Sequence, residues 1–102
     1  MVNNNADIGP DIVGYAAKTE QLKAEILLSV AGFFKHTAMG SRAPMCEEQF
    51  AQALHLMLML ANRRGIELER IAALMKQQAR AGLARDDAYS GDYRAVLAFV
   101  GN

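Results

Sequence analysis

The sequence predicts an all-α fold, a small dimeric bundle of about four helices around a central hydrophobic helix over residues 44–64. Three observations lead there. Apolar residues recur at spacings of three and four through most of the chain, the period of an amphipathic helix. The stretch PMCEEQFAQALHLMLMLANRRG is apolar on every side from Leu56 to Ala61 and carries stop signals at both ends. At 102 residues, 52% hydrophobic and 22% charged, the chain has the balance of one folded domain. A domain of this size buries a core with little margin, so a second subunit would help.

Residues 1–9 are polar and predict a flexible N-terminus ahead of a single domain over residues 10–102. Asp7 or Gly9 can cap a short first helix with Pro10 at its first position. Gly14 weakens that helix, and the Lys18-Thr19 junction is a place for it to bend or restart. From Thr19, Leu22, Ile26, Val30 and Phe33, with Leu27 and Phe34 beside them, form one apolar face reaching His36 to Met39. AMGSRAP then combines Gly40, Ser41 and Pro44 in a connection.

The central helix opens at Pro44. Glu47 and Glu48 suit the positive end of its dipole, Arg63 and Arg64 the negative end, and Gly65 is a natural C′ residue. Projected at about 100° per residue, Glu48, Gln52, His55, Asn62 and Arg63 share one narrow polar stripe, interrupted by Met59. The other faces hold Phe50, Leu54, Leu56, Met57, Leu58 and Leu60. That is more apolar surface than three short helices can cover, and a second chain is expected to cover part of it.

A further helix runs from Ile66 to about Ala81, with Leu68, Ile71, Met75 and Ala79 inward, Glu69, Arg70, Lys76 and Arg80 outward, and Gly82 at its end. After ARDDAYSG, Ser90 or Asp92 can cap a last helix with Tyr93, Val96, Leu97 and Val100 on one side. Its content of Val, Phe and Tyr keeps a strand as the alternative.

Eleven basic and eleven acidic side chains cancel, which removes the overall footprint of a protein devoted to nucleic acid or anionic membrane. The basic face Arg70, Lys76, Arg80 has no interleaved aromatics for base stacking, so nucleic acid is not an expected partner. Cys46 is the only cysteine, which excludes an intrachain disulfide and a cysteine-based zinc site. The start has neither the basic nor the apolar region of a secretion signal, and no apolar run approaches the roughly 20 residues of a membrane span. The expected location is the cytoplasm, with no membrane association.

Phosphate-cradling loops and a nucleophile elbow are missing from the sequence. A calcium loop starting at Asp86 fails where Leu97 stands in place of a bidentate Glu. His36 and His55 are the only histidines. A metal site would need them to converge with a carboxylate such as Glu48. The simpler reading makes His55 the polar tip of its stripe, bonded to Gln52, Glu48 or Asn62. The neighbouring pairs Glu47-Glu48 and Asp86-Asp87 point to different sides. No metal or cofactor is expected.

At QFAQALHLMLMLANRRGIELE, residues 49–69, the chain resembles the MazG-type all-helical nucleoside triphosphate pyrophosphohydrolases. In that family a helix with ExxD followed by an apolar run and LANRLGIDLE supplies two magnesium-binding carboxylates, and a preceding helix supplies two more through ExxE. Here Gln49 and Gln52 stand in place of the Glu and the Asp, and the preceding helix offers Glu25 alone in AEILLSVAGFF. An amide brings no charge to a hard dication, so none of the family's catalytic residues carries over.

The residues therefore predict a non-enzymatic helical module, a homodimeric regulator of the antiactivator or adaptor type. It would bind another protein, a transcription regulator for example, through an apolar, Met-containing helical surface. Phe33, Phe34, Phe50, Leu54, Met57, Leu58 and Met59 are the candidates for the dimer or partner surface. The alternative is a divergent magnesium-dependent pyrophosphohydrolase using Glu25, Glu47 and Glu48, which would require those carboxylates to converge.

Overall fold

A computed structural model describes residues 4–38 and 44–101. All four of its regular elements are helices: α1 (Asn4–Ala38), α2 (Pro44–Arg63), α3 (Leu68–Arg85) and α4 (Ser90–Val100). The fold is all-α, as expected, and the strand alternative for the last segment is excluded by α4. Among the described residues no helix is long and apolar enough to cross a membrane.

The chain divides into two compact units, Met1–Arg64 and Gly65–Asn102. Each contains one helix pair: α1 packs on α2, and α3 packs on α4. Gly65 marks the division with φ +80°, a left-handed conformation that a side chain would strain.

In the first unit α1 is one continuous helix, which corrects the expected short helix and bend. It begins at Asn4, ahead of Pro10, so residues 4–9 lie within the helix. Gly14 costs a helix about 1 kcal/mol, and contacts to α2 hold the helix through this region. The Tyr15 hydroxyl donates to the Arg63 carbonyl at 2.6 Å, Arg63 Nη2 returns to the Tyr15 carbonyl at 3.0 Å, and Arg63 Nε reaches Thr19 Oγ1 at 3.3 Å. The predicted connection falls largely on residues 39–43, outside the described residues.

The inward stripe of α1 is as read from spacing: Leu22 is buried and Ile26, Val30 and Phe33 are half-buried. On α2 only Ala53 and Leu56 are buried. Within the first unit, α1 covers a single face of the helix read as central.

In the second unit three boundaries differ from expectation, the first being the start of the third helix, which lies at Leu68 rather than Ile66. The third helix does not stop at Gly82 but runs to Arg85, where Asp86 takes a left-handed cap at φ +53°. Gly82 is buried against the Tyr93 ring, so closely that a Cβ there would overlap it. The glycine serves helix contact, and it is tolerated inside α3 for that reason. The fourth helix has no side-chain cap from Ser90 or Asp92. Its start is organised by Asp87, whose Oδ1 accepts from the Tyr89 N–H at 2.9 Å, while Ser90 Oγ donates to the Asp87 carbonyl at 3.0 Å. An aspartate two residues ahead of a donor forms this turn more readily than a residue already inside the helix.

Candidate functional site

The α1–α2 hairpin has two unlike sides. On one, Phe33 lies with its ring centroid 6.0 Å from that of Phe34 and 4.9 Å from that of Phe50, the latter edge-on. Three aromatic rings thus join the helices. Two turns from Phe34 along α1 is Leu27, and two turns from Phe50 along α2 is Met57, so both fall on this side. All four remain open to solvent: Leu27 71%, Phe34 63%, Phe50 52% and Met57 53% exposed. Leu54, one turn from both Phe50 and Met57, is half-buried between them.

Of the residues singled out from sequence, the structure thus brings together Phe33, Phe34, Phe50, Leu54 and Met57. It separates Met59. That side chain lines a groove with Lys18, Gln21, Glu25, Leu56 and Arg63 on the other, polar side of the hairpin. Leu58 is half-buried.

The polar side carries the feature that spacing missed. His36 Nδ1 lies 2.8 Å from the Gly32 carbonyl and 2.8 Å from Gln49 Oε1. A carbonyl can only accept, so Nδ1 is the donor and its proton is shared between both oxygens. The Gln49 amide rests directly on Gly32, within 2.5–2.9 Å of where a Cβ would stand. Glycine at 32 makes room for the amide that the imidazole holds. The clue in the sequence is a glycine inside an otherwise apolar α1 face, one turn before a histidine. His55, expected to be the engaged histidine, is exposed and makes no hydrogen bond among those of the described residues.

The acids do not converge. Glu25 borders the groove beside Leu56 and Met59. Glu48 lies eight residues before Leu56 on α2, roughly 12 Å along the axis at 1.5 Å per residue. Among the described residues no three His, Cys, Asp or Glu side chains group as a metal ion would need. Cys46 is half-buried, its Sγ 3.8 Å from Thr37 Oγ1.

Residues 17–95 match the protein family described as the MazG-like family. The chain belongs to the MazG-like family. No curated protein and no solved structure matches it. The match takes in the hairpin from residue 17 onward, all of α3 and the first half of α4, well beyond the segment 49–69 that carried the resemblance.

Magnesium is the ion that resemblance implies, and the residues present do not fit it. Gln49 and Gln52 occupy the acid positions on α2. Opposite Gln49, α1 presents Gly32 and His36, with the amide and imidazole bonded to each other. Neutral donors that satisfy one another leave no charge to repay dehydration of a dication. In this MazG-like chain that position is an interhelical lock.

Proposed function

We propose that this MazG-like chain is a non-hydrolytic helical interaction module, which pairs with a second copy through the aromatic side of its first hairpin and binds another protein as a regulator. The observation that carries the reading is Gln49, an amide seated on Gly32 and held by His36 where a carboxylate would serve hydrolysis. The exposed Leu27, Phe34, Phe50 and Met57 supply the driving force. Burying the exposed parts of four such side chains from each of two copies returns on the order of 10 kcal/mol. Association costs about 4–15 kcal/mol, so a dimer held by this side alone would sit near the threshold of stability.

The test has two arms. Analytical ultracentrifugation of the full chain should find a dimer at micromolar concentration. A magnesium-supplemented panel of nucleoside triphosphates should yield no pyrophosphate. A monomer throughout the concentration range, or metal-dependent pyrophosphate release, would overturn the proposal.

A second reading has membership in the family in its favour: a divergent magnesium-dependent pyrophosphohydrolase. It would have to draw carboxylates from Glu25, Glu47 and Glu48, and the rise of roughly 12 Å along α2 between Glu48 and Leu56, the residue that shares a groove with Glu25, weighs against it. Pyrophosphate release abolished by Glu25→Gln and by Glu48→Gln alike would favour this reading over the first.

A further inference from the structure

The α3–α4 pair has too little interior to stand alone. Its unit, Gly65–Asn102, falls just short of the roughly 40 residues below which a fold needs outside support. Among the described residues of the two helices only Ala79, Gly82 and Leu97 are buried, and one of these has no side chain. The pair therefore depends on cover from outside itself.

One face of it carries both halves of a contact. Between the helices runs a groove of about 540 Å³, walled by Met75 and Ala79 from α3 and by Tyr93 and Val96 from α4. The charged residue that lines it is already engaged, since Arg85 donates to the Tyr93 hydroxyl at 3.0 Å and faces Asp87 at 3.6 Å. A groove so lined favours an apolar guest over an ion, and the flexible Met75 lets the wall adjust to it. One turn beyond Val96, on the same side of α4, Phe99 stands 75% exposed. A groove and a free ring beside each other suit a two-fold contact, in which each copy offers the other both.

We propose that two copies of the chain meet across this face, the Phe99 ring of each seated against Met75 and Val96 of the other. This contact rests on the pairing of copies proposed above for the first hairpin. One ring and one valine from each copy are too little to hold two chains at micromolar concentration. Copies already joined through Phe34, Phe50 and Met57 meet here at an effective concentration on the order of millimolar, with no second loss of translational freedom. The α3–α4 face then supplies the margin that the aromatic side lacks by itself.

The experiment is NMR on the full chain, with uniformly carbon-13-labelled copies mixed in equal amount with unlabelled ones. Isotope-filtered cross-peaks from the Met75 methyl of one copy to the Phe99 ring of the other are expected. Phe99→Ala should raise the dimer dissociation constant roughly tenfold or more in sedimentation, with unchanged far-ultraviolet dichroism. A wild-type monomer at every concentration would overturn the hairpin reading and this contact together. A dimer without Met75–Phe99 cross-peaks between copies, or one that Phe99→Ala leaves at its original strength, would overturn this contact alone. Cross-peaks that join Met75 and Phe99 only to residues of their own chain would give the groove to that chain and overturn it as well.

Discussion

Two glycines inside helices decide more of this molecule than their size suggests. At Gly82 an added methyl would meet the Tyr93 ring rather than the end of a flexible side chain. Gly82→Ala should therefore destabilise the α3–α4 unit by about 1–3 kcal/mol through overpacking. The gain in helix propensity, at most about 1 kcal/mol, works in the opposite direction and is smaller. Urea unfolding would decide between them, and a stabilised variant would mean that the ring does not pack there. At Gly32 the obstructing group is the Gln49 amide, which can swing away. Gly32→Ala should cost the His36 hydrogen bond, about 1 kcal/mol, and the His36 ring resonances should move as the contact opens. Neither glycine was legible as a contact. Gly82 was read as a helix end because sequence alone cannot distinguish a terminator from a close approach, although Leu83 continues the apolar repeat past it.

At the scale of elements, the turn between α3 and α4 is a polar knot. Arg85 Nη2 donates to the Tyr93 hydroxyl at 3.0 Å, which donates in turn to Asp87 Oδ2 at 3.2 Å. The Tyr89 N–H on Asp87 Oδ1, with the Tyr93 hydroxyl and the Arg85 charge behind it, holds the Asp87 carboxyl below the ordinary aspartate range. A carboxyl lowered by folding contributes its stability above the unfolded value and loses it as pH falls through the folded one. Acid should thus loosen this turn below about pH 4. The Tyr89 amide should exchange faster there than at neutral pH once the intrinsic rate is divided out. Asp87→Ala should remove the pH dependence while leaving α1 and α2 unaffected. In the first hairpin, Arg63→Ala would remove both bonds to α1 and the Tyr15 stacking. Loss of protection should then concentrate around Tyr15 and Thr19, detectable by the same exchange measurement.

For the molecule as a whole, the open question is what meets the aromatic side of the first hairpin. Only five hydrophobic side chains among the described residues are buried, Leu22, Ala53, Leu56, Ala79 and Leu97. So sparse an interior leaves the exposed Phe34, Phe50, Met57 and Leu27 as unspent apolar surface of the kind that marks an association site. Phe50→Glu together with Met57→Glu should convert the proposed dimer to monomer in sedimentation, since a charge buried at such a contact costs more than its narrow margin. Far-ultraviolet dichroism should remain helical. Persistence of the dimer would move the contact to another face.

Periodicity and termination signals alone settled the all-α class, the limits of α2 to within one residue, the left-handed Gly65, and the inward residues of α1. These properties are local, arising from spacing within one helix or from the backbone freedom of one residue. The sequence also exposed the loss of acids at Gln49 and Gln52, because charge type is written in the residue itself. The tertiary structure decided which side chains meet. It carried α1 through Lys18-Thr19, let α3 run past Gly82, put His36 rather than His55 in a bond, and parted Met59 from Phe50. Each depends on a partner at least eleven residues away or on the side from which a neighbouring helix approaches, and helical periodicity carries no information about either.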